Sequence, residues 1–192
     1  MEVNEADVTF TQISREFDET FGYVRQDIAA IRRTDLGLNY TVALLICCAC
    51  EMLAWHRNLK ADQVFTSLLP DEEPWRFLGK KMFEALRNGL AHKFRPHTVK
   101  AGGEQWRFSI AWQDGPPVKV IRTKKTDEPN WLQLNAKVLE ERLTAQINAY
   151  QEELRTSASA RVNFVEVSKK SIIEIPDDAE RIAAGWRRLL DG

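Results

Sequence analysis

Phe10-Thr-Gln-Ile-Ser-Arg-Glu-Phe-Asp-Glu-Thr-Phe-Gly-Tyr-Val-Arg-Gln-Asp-Ile-Ala-Ala-Ile31 sets the architecture of the chain. Phe10, Ile13, Phe17, Phe21, Val24, Ile28 and Ile31 recur at spacings of three and four, the period of one helix face. Arg15, Glu16, Asp18, Arg25, Gln26 and Asp27 fill the positions between them. A long amphipathic helix follows, and it needs partners that bury its stripe. Gly37 punctuates its end.

Downstream, Asn39 is placed to cap a second helix over roughly residues 40–58. This helix is apolar over most of its circumference, so it is expected to be the most buried element. Its densest run, Val42–Cys50, is shorter than the roughly 20 residues that span a bilayer, and Glu51 interrupts it. The acidic N-terminus has no apolar core of the secretory kind. The expectation is a buried helix in a cytoplasmic protein, with no membrane partner. Cys47, Cys48 and Cys50 all fall in this run, a poor disulfide framework. Cys47 and Cys50 share a helix face with His56 two turns on, but no second ligand pair accompanies them. Core-filling thiols are the expected reading, with no metal and no cofactor.

Asp62 is placed to cap a short third helix that Pro70 stops. Pro74 opens a fourth helix that runs to about residue 92 with the stripe Trp75, Leu78, Met82, Leu86 and Leu90. After Pro96 the period changes to two. Trp106, Phe108, Ile110 and Trp112 alternate with Arg107, Ser109 and Ala111, and Val118–Thr123 returns after Gln-Asp-Gly-Pro-Pro. This predicts a β-hairpin inserted over residues 101–126. Pro129-Asn130 is expected to reopen helix, with Leu132, Ala136, Leu139, Leu143, Ile147, Tyr150 and Leu154 as its stripe. Residues 157–192 are expected to form a strand–helix extension. Val162–Val167 and Ile172–Ile175 read as short strands, and Pro176 opens a last helix. The fold class expected is mainly α: a single domain over 1–192, an antiparallel helical bundle with an inserted hairpin and a small antiparallel sheet.

Hydrophobic residues make up 44% of the 192 and charged residues 29%, which excludes a disordered tail or a fibrous repeat. The formal net charge of −1 excludes a polycation, so any nucleic-acid role needs a local patch. Residues 74–125 supply one, because twelve Lys and Arg there face only Glu84, Glu104 and Asp114. Lys81, Lys93, Arg95, Arg107, Lys124 and Lys125 are the candidate RNA-backbone contacts within it. A solvated basic face on an acidic body is the alternative. Trp106 and Trp112 either stack bases or, as alternating strand residues, belong to the core.

The segment that carries chemistry is Arg87-Asn88-Gly89-Leu90-Ala91-His92. With Trp75 at zero and about 100° per residue, Asn88 falls near 220° and His92 near 260°, opposite the apolar stripe. Arg87 lies near 120°, on the margin. Histidine exchanges protons near neutrality, arginine forks onto phosphate oxygens, and asparagine orients a neighbouring group. Together they suit phosphodiester chemistry. A structural reading stands beside this one: His92 capping the helix end, and Arg87 paired with Glu84 or Glu51. Gly89 costs about 1 kcal/mol within a helix relative to alanine, which suggests close approach by another backbone, such as a partner helix or a second subunit. His97 could form an acid–base pair with His92, but Arg95-Pro96 breaks the helix between them and leaves their relative placement open.

This motif, at the end of a fourth helix, resembles the HEPN superfamily, small helical-bundle proteins that carry an Arg, four to six residues, then a His. The resemblance spans roughly residues 8–96 and the helix of 131–155. It implies a metal-independent RNase site in which a ribose 2′-hydroxyl attacks the adjacent phosphate, leaving a 2′,3′-cyclic phosphate. His92 would be the general acid–base, Arg87 would bind phosphate and Asn88 would position the groups. Glu51 would orient Arg87, or be a buried counter-ion for Arg87 or Arg57. The resemblance further implies a homodimer with facing motifs, an RNA substrate, a defence or toxin-related role, and a cognate antitoxin or partner protein. A non-catalytic module that binds a partner protein or a nucleotide is the alternative, since the hairpin and the tail lie outside the family's minimal bundle.

Overall fold

The computed structural model describes residues 5–33, 39–93, 95–101, 104–122 and 129–170. It is mainly helical, with six helices and four strands among the described residues. Helix α1 (Glu5–Arg32) turns Phe17, Phe21 and Ile28 fully inward, with Phe10, Ile13, Val24 and Ile31 packed at the margin of the same core. Helix α2 (Asn39–His56) is long and apolar enough to cross a membrane, but eight of its residues, Val42 through Ala54, lie in the core. Asn39 is its first residue, one position beyond the cap position expected for it. Its side-chain amide donates to Ile110 O at 3.2 Å, and the Tyr40 hydroxyl donates to Phe108 O at 3.3 Å. The first turn of α2 thus satisfies carbonyls of a neighbouring strand.

Helix α3 (Ala61–Ser67) starts two residues earlier than a cap at Asp62 would allow, with Lys60 in the cap position. Lys60 N donates to Gln63 Oε1 at 3.0 Å, so a glutamine amide, not a carboxylate, closes this end. Helix α4 (Trp75–Lys93) crosses α3 so closely that a Cβ on Gly79 would overlap the Thr66 side chain. Its buried face is Met82, Phe83, Ala85, Leu86, Gly89 and Leu90, which leaves Lys81, Asn88 and His92 outside.

The sheet differs from the expected hairpin. Strands β1 (Val99–Ala101), β2 (Glu104–Ala111), β3 (Val118–Ile121) and β4 (Asn130–Asn135) are ordered β1-β2-β4-β3. β4 lies between the two strands expected to pair. It runs parallel to β2, with Phe108 opposite Leu132, and antiparallel to β3, with Val120 opposite Leu132. The sheet is mixed, and the antiparallel neighbour of β2 is β1. Pro129-Asn130 therefore does not reopen helix. Leu132 is both four residues before Ala136 and two before Leu134, so it fits a helical stripe and a strand alternation. Burial of Leu132 and Leu134 between two neighbouring strands decides for the strand.

Helix α5 (Ala136–Thr156) follows β4 directly and buries Leu139, Leu143, Ile147, Tyr150 and Leu154. Ser157 ends α5 and begins α6 (Ala158–Lys169), where its hydroxyl accepts from Ala160 N at 3.2 Å. The expected strand over 162–167 is helix. Phe164 and Ser168, four apart, are its buried face, and Phe164 packs within 6.3 Å of the rings of Phe10, Phe17 and Tyr150. Tertiary packing of one aromatic overrides the β-preference of Val162, Val165 and Val167. Gly37, the expected strand Ile172–Ile175 and the last helix lie outside the described residues.

Candidate functional site

Arg87 is held from the neighbouring helix. Its Nε donates to Glu51 Oε1 at 2.8 Å, and Nη1 lies 3.5 Å from Asn88 Oδ1. Of the two carboxylates considered, Glu51 is the partner, while Glu84 pairs with Lys81 at 2.9 Å and is held below the usual carboxylate range by that bond. Arg57 pairs with Glu153 instead. The Arg87 and Glu51 side chains are 38% and 37% exposed, so the pair is worth under about 1 kcal/mol. Its consequence is orientation. A guanidinium has five N–H donors, and Nη2 stays free of any partner among the described residues.

Asn88 and His92 are both exposed, four residues apart on one side of α4. His92 is therefore not sealed inside its own fold. Arg87 and His92 are five residues apart, so they point roughly 140° away from each other around the helix. One protomer presents the cation and the imidazole on diverging lines. Gly89 has a different role from the one expected. A Cβ there would overlap Arg95 O, Pro96 C and His97 N. The backbone that approaches is the chain's own, doubling back along α4 with His97 N donating to Ala85 O at 3.0 Å. No partner helix or second subunit is needed to explain that glycine.

Comparison with protein-family models, with curated proteins and with solved structures finds no match. What the site can do rests on its geometry.

The basic residues divide. Lys93, Arg95 and Arg107 line one cavity of about 530 Å³ beside the returning segment. Lys81 borders a different, apolar cavity of about 460 Å³ between α4 and the sheet, together with Trp106 and Leu132. Lys124 and Lys125 lie outside the described residues. Trp106 and Trp112 are half-buried against the core, and Arg32 covers the Trp112 ring at 4.2 Å, so the Trp112 ring is not a free stacking platform. His97 does not join His92. It lines the cavity of Lys93, and its Nε2 is buried with no partner among the described residues. Tyr40 and Trp131 line that cavity too. Sequence spacing gave no hint of them, because they sit 91 residues apart. Only the register that sets Arg107 opposite Trp131 brings the indole to this place.

Cys47 and Cys50 are buried, and burial pushes both thiols up, away from the metal-binding thiolate. Cys48 is exposed.

Proposed function

We propose that the chain is a HEPN-like helical-bundle protein acting in the cytoplasm as a metal-independent endoribonuclease, in a defence or toxin-related setting. The observation that carries this reading is the tip of α4: Arg87 fixed by Glu51 with Nη2 free of any partner among the described residues, and Asn88 and His92 facing solvent. A homodimer with facing motifs follows from the divergence of Arg87 and His92. The two side chains of one protomer diverge too far to meet across a single phosphate, whereas two facing antiparallel copies would bring each imidazole toward the opposite guanidinium.

In that site one His92 takes the proton of a ribose 2′-hydroxyl as its oxygen attacks the adjacent phosphorus. The P–O5′ bond breaks, and the second copy's imidazole supplies a proton to the departing 5′-oxygen. The Arg87 guanidinium stabilises the charge that builds on the non-bridging oxygens. The products are a 2′,3′-cyclic phosphate and a 5′-hydroxyl. An antitoxin or other partner protein would act by covering this tip.

The test is cleavage of mixed RNA in EDTA by wild type, Arg87→Ala and His92→Ala. Wild type is expected to yield cyclic-phosphate ends, with losses of at least a hundredfold in each variant. Equal cleavage by wild type and His92→Ala rejects the reading.

A further inference from the structure

The cavity beside the returning segment holds features that the α4 tip does not use. Lys93 comes from the end of α4, Arg95 and His97 from the segment that doubles back, and Arg107 from β2. None of the three cations has a carboxylate partner among the described residues. Three like charges around one concave space repel one another, and a bound anion offsets that cost. Two aromatic residues share the same wall. Tyr40 is anchored by its hydroxyl on Phe108 O, and Trp131 stands beside Arg107 across the β2–β4 ladder. The His97 Nε2, buried and without a partner among the described residues, adds a further polar atom to this wall.

We infer that this cavity is a nucleoside-phosphate subsite, with the phosphate held by Lys93, Arg95 and Arg107 and the base laid against Tyr40 and Trp131. The volume of about 530 Å³ lies in the range of roughly 300–1,000 Å³ usual for small-molecule sites, and it suits one nucleotide unit rather than a folded partner. Cations supply the phosphate half, and aromatic faces supply a base half that tolerates sequence. A phosphate alone would use only the first half, and a nucleoside alone only the second. The unit comes either from a free mononucleotide or from a single strand threaded through the cavity. The subsite does not depend on strand cleavage, because Arg87, Asn88 and His92 do not line it.

Calorimetric titration tests this on the full chain, with four probes: adenosine 5′-monophosphate, adenosine, inorganic phosphate and a 2′-O-methylated hexanucleotide that cannot be cut. Either the monophosphate or the hexanucleotide is expected to bind at least tenfold more tightly than adenosine and than phosphate. The tighter of the two identifies the source. Arg107→Ala, an exposed strand position, is expected to weaken that binding at least tenfold, and Arg95→Ala provides a second variant should Arg107→Ala unfold. His92→Ala is expected to bind the monophosphate as wild type does, because His92 does not line the cavity, which separates this subsite from the cleavage reading. No binding of monophosphate or hexanucleotide up to millimolar concentration overturns the inference. So does phosphate binding as tightly as the nucleotide, or affinity unchanged in both arginine variants.

Discussion

Acidification should loosen the docking of α6 through one imidazole. His56 lies at the end of α2, stacked on Phe164 of α6 at 4.9 Å and edge-on to Phe17 at 4.8 Å. Its Nδ1 is 3.3 Å from the Ser168 hydroxyl. Burial lowers its pKa from 6.5 to about 4. A helix C-terminus favours a protonated histidine by roughly 0.3–1 kcal/mol, and burial outweighs that here. The adjacent Arg57 is turned to Glu153 and the Tyr150 ring, and among the described residues no carboxylate pairs with the imidazole. The unfolded chain therefore binds a proton that the folded chain refuses between pH 6.5 and about 4. Stability from this group is complete above pH 6.5, falls as the pH drops through that window, and levels off below it. At about 1.4 kcal/mol per pH unit the full shift sets a ceiling of about 3 kcal/mol. The ring is only partly shielded, and solvent screening reduces the expected effect to about 2 kcal/mol. Urea unfolding of wild type and His56→Gln from pH 7.5 to pH 4.0 isolates it, since the difference between the two removes the carboxylates and the other two histidines. Wild type should lose about 2 kcal/mol relative to the variant. A difference that stays flat, or one that grows in favour of wild type on acidification, refutes the reasoning.

Phe164→Ala should cost about 3–5 kcal/mol in urea unfolding, because Phe164 is fully buried and joins α6 to α1, α2 and α5. A loss under about 1 kcal/mol would show that α6 is not part of the core. Gly89→Ala gains about 1 kcal/mol of helix propensity but drives a Cβ into the backbone of residues 95–97. Overpacking of this kind costs about 1–3 kcal/mol, so the variant should be less stable on balance, and a stabilised variant contradicts the close approach. Glu51→Gln should change thermal stability by less than about 1 kcal/mol yet lower RNA cleavage, since the exposed pair orients Arg87 more than it holds the fold. Unchanged cleavage in Glu51→Gln would remove Glu51 from the site.

Helices α1 and α5 were legible because each has a stripe long enough to exclude the other period. Phe17, Phe21 and Ile28 in α1, and Leu139, Leu143, Ile147 and Tyr150 in α5, define a face over several turns. The sheet was legible only in part: β2 and β3 read as strands, while β4 read as the start of a helix. Strand order depends on which neighbours bury which faces, so adjacency of β2 and β3 in the chain did not make them partners. Helix α6 was misread for the reverse reason. Its valines favour strand locally, and only the aromatic cluster around Phe164 reveals the helical face.

The α4 tip and the cavity beside it divide along the same line. Arg87, Asn88 and His92 were legible as a group because a helix converts spacing into direction. The pairing of Arg87 with Glu51 was one of the alternatives open from sequence, and the approach of α2 to α4 selects it. The cavity draws on α2, the returning segment, β2 and β4, and no spacing rule links these. Gly89 connects the two. By admitting the backbone of residues 95–97 against α4, it seats Arg95 and His97 in the cavity while the tip stays open to solvent. A side chain at that position would press on the cavity wall and leave the exposed faces of Asn88 and His92 in place. Gly89→Ala is therefore expected to weaken nucleotide binding more than it weakens cleavage per bound strand. Equal losses in both would mean that the tip and the cavity form a single site.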